Sequence, residues 1–365
     1  MGSVTVDEQT ADEQTADEQT ADEQTASVES VEGFLKSPVD FSIIIETENL
    51  ASADLPGLFR SLNALQRQTL SPLLANEVLM VETGDVPEKV LATIRDRYPW
   101  IKTQRIDADL EYYQAKMQGI ALTSGEVVVL CDSDCVYNDG WLAAMLQPYA
   151  EEKVQFLAGE TSLAVDGPYG LAMALVYIFP RYTGRDSLAA TGGYFCNNVS
   201  FRRSLIDRFP IPGTLPMYRG NCVIHAHQLA ANSKQIWQQP EARALHAPPN
   251  GLSHFVSRFL MLGYDGLCVS RFAANPTELS MEAPMRPLRD LAVAGMLLAN
   301  KLKTAAVRLA QVLREDIRYG LYLPLALPIC AAALALYTVG LALAYARPAY
   351  WLNNRDRLEA LLEHS

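Results

Sequence analysis

The feature that most constrains the fold is a regular alternation, between residues 41 and 130, of short apolar runs with longer helical patterns. The runs are rich in Ile and Val, which favour strands, and the segments between them repeat apolar residues every three or four positions. The predicted elements are strand Phe41–Ile45, helix Leu58–Gln68, strand Val78–Val81, helix Pro87–Tyr98, strand Ile101–Ile106, helix Glu111–Thr123 and strand Val127–Leu130. Buried strands separated by helices are typical of βαβ units, so the sequence predicts an α/β fold with a parallel sheet. Such sheets bind ligands beyond the carboxyl ends of their strands.

The net charge of −12 comes mainly from the first 32 residues, which contain ten acids and no Lys or Arg. Residues 7–26 are four copies of Asp-Glu-Gln-Thr-Ala, without a large apolar side chain. Such a segment cannot recover the entropy lost on ordering, so we predict a disordered acidic tail over residues 1–36. Residues 33–365 have 30 basic and 32 acidic side chains, which argues against a nucleic acid as a partner.

The 6 Cys residues are scattered, without paired spacing. This pattern favours reduced thiols over a disulfide-stapled secreted domain. The first residues lack a basic segment followed by an apolar one, so we expect no signal peptide.

The C-terminal part has the character of a membrane anchor. Met285–Arg318 alternates apolar residues with Arg and Lys, which predicts an amphipathic helix suited to an anionic bilayer surface or packed on the domain. The 28 residues Tyr319–Ala346 carry no charge, and about 20 apolar residues span a bilayer. Pro324 and Pro328 should kink this segment or make it partly interfacial, so it is predicted as a transmembrane or re-entrant helix, followed by a tail over 347–365.

Basic residues flank this apolar segment unequally. Five precede it closely and three follow it, namely Lys301, Lys303, Arg308, Arg314 and Arg318 before it and Arg347, Arg355 and Arg357 after it. The bias predicts a membrane protein whose large N-terminal part lies in the cytoplasm.

The strongest local motif is Asp132-Ser133-Asp134, which directly follows the predicted buried strand Val127–Leu130. In an extended segment, side chains two residues apart point the same way, so the two carboxylates could bind one divalent cation. Surface turns also produce this motif, but the preceding strand–helix units favour a functional site. A cation here would neutralise a diphosphate leaving group.

Five motifs, taken in order, resemble those of the family 2 glycosyltransferases, which have the GT-A nucleotide-sugar-binding fold. They are Phe41–Asn49, Glu77–Asp85, Ala115–Ala121 with Ser124–Glu126, Asp132–Asp134 and Asn197–Arg203. The resemblance covers about residues 39–262, and we take the GT-A domain as residues 37–284. Its Gly-, Pro- and Tyr-rich second half would carry the acceptor-binding loops.

The resemblance implies the donor-binding residues. The first loop, with Thr47 and Glu48, would line the nucleotide, although the family usually has Pro-Thr-Tyr-Asn there. Glu82, where the family has Asp, would hydrogen-bond the base. Lys116 would face the diphosphate, with a solvated helix charge as the alternative, and Asp132 would contact the ribose.

The resemblance also implies a site for Mn²⁺ or Mg²⁺. Asp134 would be the main ligand, Asp132 a second, and His246 a third ligand from a late loop. A structural role is the alternative for His246. Acceptor-binding candidates are Gly193, Asn197, Asn198 and Arg219.

The catalytic base of the family is missing. Inverting members carry a Glu-Asp pair at the start of a late helix, where this chain reads Tyr218–His227 without a carboxylate. Three explanations stay open: His225 or His227 acts as the base, Arg219 holds an acceptor that is already ionised, or the enzyme is weak or inactive.

From these residues we expect a metal-dependent glycosyltransferase that moves a sugar from a nucleotide diphosphate donor, expected to be UDP-linked, to a lipid-linked or cell-envelope acceptor. One rival is a nucleotidyltransferase, which would need a Gly-rich loop after the first strand. The other is a non-catalytic membrane scaffold that keeps the fold.

Overall fold

A computed structural model describes residues 39–47, 55–84, 86–181, 183–213, 215, 217–273 and 286–348. The predicted acidic tail over residues 1–36 and nearly all of the predicted C-terminal tail lie outside these residues. So does Glu48 of the first loop.

The described chain forms nine strands and ten α-helices. The strands are β1 Phe41–Glu46, β2 Glu77–Glu82, β3 Lys102–Arg105, β4 Val127–Asp132, β5 Cys135–Tyr137, β6 Phe156–Ser162, β7 Ala189–Thr191, β8 Asn198–Arg202 and β9 Ile236–His246. The helices are α1 Leu55–Gln66, α2 Glu88–Arg97, α3 Tyr112–Ala121, α4 Trp141–Leu146, α5 Gly167–Val176, α6 Arg203–Arg208, α7 Asn221–Ala231, α8 Gly251–Phe272, α9 Pro287–Glu315 and α10 Leu323–Ala346. Short 3₁₀ turns occupy Pro72–Leu74, Gln147–Ala150 and Ile317–Tyr322.

The strands form one mixed sheet in the order β3-β2-β1-β4-β8-β6-β9-β5, with β7 paired to β9. Strands β1 to β4 are mutually parallel, in the βαβ pattern predicted from the sequence. Every residue of β1 and β4 is buried, which explains their nearly continuous apolar sequences. Glu46 pairs with both Val81 and Asp132, so three strands end together at one edge of the sheet.

Beyond β4 the sheet becomes mixed, because β8 runs antiparallel to both β4 and β6. This half showed only weak periodicity in the sequence because several of its strands are short and β9 contains a proline, Pro240. The register of β6 against β9 shifts at Gly159. A Cβ there would lie 2.4 Å from the Ala242 carbonyl oxygen, so this close approach requires glycine.

Helix α10 packs along the folded domain, mainly on α8 and α5. A Cβ on Gly263 of α8 would lie 2.0 Å from the Tyr337 carbonyl oxygen, and one on Gly340 of α10 would lie 2.1 Å from that of Leu260. The two backbones are therefore in contact. The buried positions of α10 form one face along its length: Ala326, Cys330, Ala333, Tyr337, Gly340, Leu341 and Ala344.

A buried ion pair joins the ends of α8, α9 and α10. Arg271 Nε lies 3.0 Å from Asp290 Oδ2, and both side chains are almost inaccessible to solvent. The same guanidinium donates to the Ala344 carbonyl of α10, 3.2 Å away. This interaction attaches the N-terminus of α9 and the C-terminus of α10 to the domain.

The segment Ile317–Ala346 is long and apolar enough, by length and composition, to cross a membrane, and a third of its most apolar window is buried against the protein. The outer faces of α9 and α10 expose large apolar side chains to the surroundings. They include Leu288, Leu291, Met296, Leu302 and Val307 on α9, and Leu325, Leu327 and Val339 on α10. The amphipathic pattern predicted for this region thus corresponds to a helix with an exposed apolar side.

Candidate functional site

The carboxyl ends of β1, β2 and β4 bring several predicted donor-binding residues to one edge. Thr47 is fully buried, and its hydroxyl donates to the Val81 carbonyl at 3.2 Å. The Glu82 carboxylate accepts the Gly84 N–H at 2.7 Å and lies 3.2 Å from Arg105 Nε. Because Arg105 is largely exposed, this carboxylate lies next to the surface at the end of β2.

Asp132 is held by two buried groups on α3. Its Oδ1 lies 2.5 Å from Lys116 Nζ, and its carboxylate accepts the Tyr112 hydroxyl at 2.8 and 3.0 Å. Lys116 is 0% exposed and also donates to the Cys131 carbonyl. Although burial acts to lower it, the pKa of Lys116 is raised by the Asp132 and Glu46 carboxylates.

This arrangement corrects both interpretations of Lys116. The residue is not a solvated helix charge, and its enclosed ammonium makes no direct contact with a diphosphate in this conformation. It neutralises Asp132 instead.

The extended geometry expected for Asp132-Ser133-Asp134 is wrong. Strand β4 ends at Asp132, and residues 133–134 form a turn before β5. The turn separates the two carboxylates: Asp132 is turned inward to Lys116, whereas Asp134 Oδ2 lies 3.3 Å from His246 Nε2. Asp132 is accordingly absent from the potential metal-binding group found among the described residues, which consists of Asp134, Cys135 and His246.

Asp134 and His246 fit a divalent cation. His246 was expected on a late loop but is the last residue of β9. The pairing of β5 with β9 places it opposite Cys135 and so brings it beside the turn. His246 Nδ1 is hydrogen-bonded to the Ala247 carbonyl, which requires Nδ1 to donate and leaves Nε2 directed at Asp134. Metal-binding histidines are commonly oriented by such a bond. Of the donors in this group, the carboxylate and the imidazole are the ones that suit Mn²⁺, whereas a thiol favours softer metals.

Two arginines flank this cluster. The guanidinium carbon of Arg219 lies 4.0 Å from the Tyr112 ring centroid and 4.8 Å from that of Tyr218. Arg258 lies 5.9 Å from the same Tyr218 ring and interacts electrostatically with Asp134 and Arg219. Tyr112 in turn contacts Asp132, so the site combines two acids with two guanidiniums.

Sequence reasoning missed Arg258 and its neighbour His254. They occupy adjacent turns of α8, which follows β9, the strand that ends at His246. The pKa of His254 is lowered to about 4, mainly by burial and also by the charges of Arg258 and His246. This imidazole is therefore neutral at physiological pH. The spacing of four residues in a helix that follows Pro248-Pro249 was the available signal.

Asp265, also missed, positions the segment that carries Arg219. Its carboxylate accepts the backbone N–H groups of Tyr218 at 2.9 Å and Arg219 at 2.7 Å. Burial raises the pKa of Asp265 to about 7, although these hydrogen bonds act to lower it.

The structure contradicts His225 as a catalytic base. The residue is 0% exposed, its Nε2 donates to the Phe209 carbonyl at 2.8 Å, and its Nδ1 accepts the Tyr194 hydroxyl at 2.6 Å. Burial lowers the pKa of His225 to about 4. His227 lies two residues further along α7 and is exposed, on a different face from His225.

The first residue of α7 is Asn221, which donates to the Pro212 and Gly213 carbonyls. The sequence of α7 contains no Asp or Glu. A carboxylate base is therefore not supplied by this helix.

The predicted acceptor residues have different environments. Asn198 bridges strands, with its amide donating to the Glu160 and Ala242 carbonyls and its oxygen accepting the Trp141 indole N–H. Its role is structural, which corrects the prediction. Asn197 is buried and accepts from Thr161 at 3.1 Å. Gly193 is exposed with open space around it, so no close backbone approach explains this glycine.

Comparison with known proteins agrees with this architecture. Residues 42–209 match the family model described as glycosyl transferase family 2. The structure of a mannosyltransferase from Pyrobaculum calidifontis, in complex with GDP-Man and Mn²⁺, aligns with a TM-score of 0.51 at 17% identity, covering 87% of this chain and 93% of that one. A structure of GalNAc-T7 with UDP, GalNAc and Mn²⁺ aligns with a TM-score of 0.48 at 12% identity, over 78% of this chain and 57% of that one. No curated protein matches the sequence. The predicted GT-A fold and the resemblance to family 2 glycosyltransferases are confirmed.

Proposed function

We propose, from its family 2 glycosyltransferase domain, that this chain transfers a sugar from a nucleotide diphosphate to a lipid-linked acceptor that carries an ionised phosphate. One observation carries the choice of acceptor: Arg258 interacts electrostatically with both Asp134 and Arg219, while α7 offers no carboxylate base. A phosphate oxygen is already a nucleophile and needs no base, and guanidinium groups are suited to bind it.

On the donor side, Asp134 and His246 would hold Mn²⁺ or Mg²⁺. When bound, the cation supplies charge neutralisation for the leaving diphosphate. Glu82 would accept a hydrogen bond from the base. Asp132, held by Lys116 and Tyr112, would shape the floor beneath the ribose rather than contact it directly. Lys116 acts here as a positioning residue rather than a contact to the donor.

On the acceptor side, Arg219 and Arg258 would hold the phosphate against the anomeric carbon of the donor sugar. A phosphate oxygen attacks that carbon, the bond from the anomeric carbon to the diphosphate oxygen breaks, and the nucleoside diphosphate leaves with the electron pair. The charge balance needs no proton transfer, which accounts for the missing base.

Membrane attachment would occur through the exposed apolar faces of α9 and α10. Because α10 is packed along its length on α8 and α5, both part of the folded domain, we infer that it lies in the membrane surface rather than crossing alone. The basic residues of α9 would then face the anionic cytoplasmic leaflet.

The experiment is a transfer assay with the full chain in detergent, using UDP- and GDP-sugars and a matched pair of acceptors, a polyprenyl phosphate and the corresponding polyprenol. We expect transfer to the phosphate alone. Preferential transfer to the alcohol would contradict the proposal, because that reaction requires a base.

The second candidate is a non-catalytic membrane scaffold, favoured by the absence of acids from α7. It predicts that donor nucleotides bind to the chain but that no sugar reaches any acceptor. The same assay, combined with nucleotide binding, distinguishes the two functions.

A further inference from the structure

A cavity of about 540 Å³ lies between the C-terminal third of α9 and the domain, and neither Asp134 nor His246 belongs to its lining. Its walls come from α9, from the end of β6 at Ser162, from β9, and from the segment that follows α5. Four arginines line it: Arg181, Arg243, Arg308 and Arg314.

The charge of the cavity is positive. Glu315 is the acid in its lining and lies 3.1 Å from Arg181. Glu160, which is fully buried, lies 3.4 Å from Arg243. The four guanidiniums still exceed these two carboxylates in number. A cavity with such an excess attracts anions, since its walls exclude part of the screening water.

Within the described part of the chain, Arg308 is bound by backbone carbonyls rather than by a carboxylate. It donates to the carbonyls of Tyr177 at 2.6 Å and Ile178 at 3.1 Å, just beyond the end of α5. Burial lowers the pKa of Arg308 to about 10, so the group stays protonated at neutral pH. The buried Nε–H of Arg181 finds no acceptor among the described residues. Both groups therefore suit a ligand that brings oxygen acceptors and negative charge.

A second, more open cavity of about 690 Å³ shares Arg308 and Gln311 with the first. It adds Arg185 and Lys303, and Val307 forms part of its rim. Val307 and its neighbour Leu302 belong to the exposed apolar face of α9. A cationic trough thus runs directly beside an exposed apolar surface, which is the arrangement that binds an amphiphile with an anionic head.

We propose that this trough is a binding site for a phosphate group, carried by the headgroup of an anionic phospholipid or by a free phosphate of the same chemistry. The phosphate would lie among Arg181, Arg308 and Arg314, and the acyl chains of a lipid would follow Val307 and Leu302. The proposal does not rest on the sugar-transfer reaction, and only its lipid form rests on the proposed membrane attachment.

The test compares two double variants of the full chain that remove equal charge. Arg181→Gln with Arg314→Gln changes the lining of the cavity. Arg289→Gln with Arg318→Gln is the control, because both arginines are exposed and neither lines the two cavities of the trough. Arg314→Gln alone, at an exposed position, provides a variant whose folding is not at risk.

Flotation is measured with vesicles of phosphatidylcholine, with and without phosphatidylglycerol, and inorganic phosphate is titrated against the protein without vesicles. We expect the cavity variant to lose about tenfold more phosphatidylglycerol-dependent affinity than the control, a difference of roughly 1.4 kcal/mol. If the cavity variant binds more weakly than the control only in the titration with inorganic phosphate, the ligand is a soluble anion. Equal losses in both double variants would overturn the proposal, since they would indicate general attraction to a charged surface. If no variant binds neutral vesicles, the proposed membrane attachment is contradicted, but the phosphate site is not.

Discussion

Lys116 Nζ lies 2.5 Å from Asp132 Oδ1, and both side chains are sealed from solvent at the carboxyl edge of the sheet. The pair fixes the first acid of the Asp132-Ser133-Asp134 motif in a direction different from that of the second, which faces His246. One motif therefore serves two purposes: Asp132 shapes the floor of the site, and Asp134 remains for a cation.

Replacing Lys116 should destabilise the protein strongly. In Lys116→Met, Asp132 becomes a buried charge that keeps its hydrogen bond from Tyr112 but loses its ammonium partner, and loss of one member of a buried pair costs about 3–5 kcal/mol. Lys116→Met with Asp132→Asn should recover much of this loss, and Lys89→Met, at an exposed position on α2, should have little effect. Thermal unfolding of the full chain in detergent measures all three. An unchanged midpoint in Lys116→Met would show that the ion pair is not required.

Arg219 should control acceptor binding without affecting the donor. Removing one charge-assisted contact to a phosphate costs about 1.5–3 kcal/mol, so Arg219→Gln should raise KM for a polyprenyl phosphate by roughly 10- to 100-fold. Nucleotide affinity should stay constant. Arg208→Gln, which changes an exposed arginine on α6, is the matched control. A parallel fall in nucleotide affinity would place Arg219 at the donor instead.

His225 should affect acid stability rather than the pH dependence of transfer. Its pKa is about 4 in the folded chain against an ordinary 6.5, so the folded state favours neutral imidazole. Above pH 6.5 the imidazole is neutral in both the folded and the unfolded state, and the free energy of unfolding is at its full value. As the pH falls from 6.5 towards 4, the unfolded state binds a proton that the folded state does not, and the free energy of unfolding decreases by up to about 3 kcal/mol. His225→Gln, whose amide can both donate and accept, should reduce this loss, measured as unfolding midpoints across that range. A changed pH–rate profile near neutrality would restore His225 as a candidate base.

The crossing of α8 and α10 should not tolerate a methyl group. Gly263→Ala would place Cβ against the Tyr337 carbonyl, so the helices must separate and stability should fall by several kcal/mol. Gly295→Ala, on α9, provides the comparison. A Cβ at residue 295 meets no atom within 4 Å, so this alanine should stabilise the helix by up to about 1 kcal/mol. Equal midpoints for both variants would contradict the close packing of α10 on the domain.

The sequence predicted the parallel half of the fold because β1, β2 and β4 are buried strands. Buried strands of this kind are rich in Ile, Val and Leu, and such apolar runs can be recognised without the structure. It also predicted that His246 meets Asp134, through the family resemblance. It did not predict the inward direction of Asp132, which depends on a turn at residues 133–134 and on a lysine from α3. Local patterns carry no information about such long-range partners.

The same limit explains the errors on the acceptor side. Histidine and asparagine are common in polar binding sites, but here both side chains are hydrogen-bonded inside the protein. His225 bonds to Tyr194 and Phe209. Asn198 bonds to Trp141. Arg258 escaped notice because its relevance depends on how α8 packs beside the Asp134 turn.

If Asp134 and His246 hold the cation of the donor site, nucleotide binding depends on the metal, and calorimetric titration of UDP and GDP, with and without Mn²⁺, measures this dependence. Wild type should bind one of these nucleotides only with the metal, and Asp134→Asn should weaken that binding by tenfold or more, roughly 1.4 kcal/mol. Asp139→Asn, at a side chain that is 67% exposed, should bind like wild type. Metal-independent binding, or equal affinity in Asp134→Asn and wild type, would show that Asp134 and His246 do not form a metal-dependent donor site.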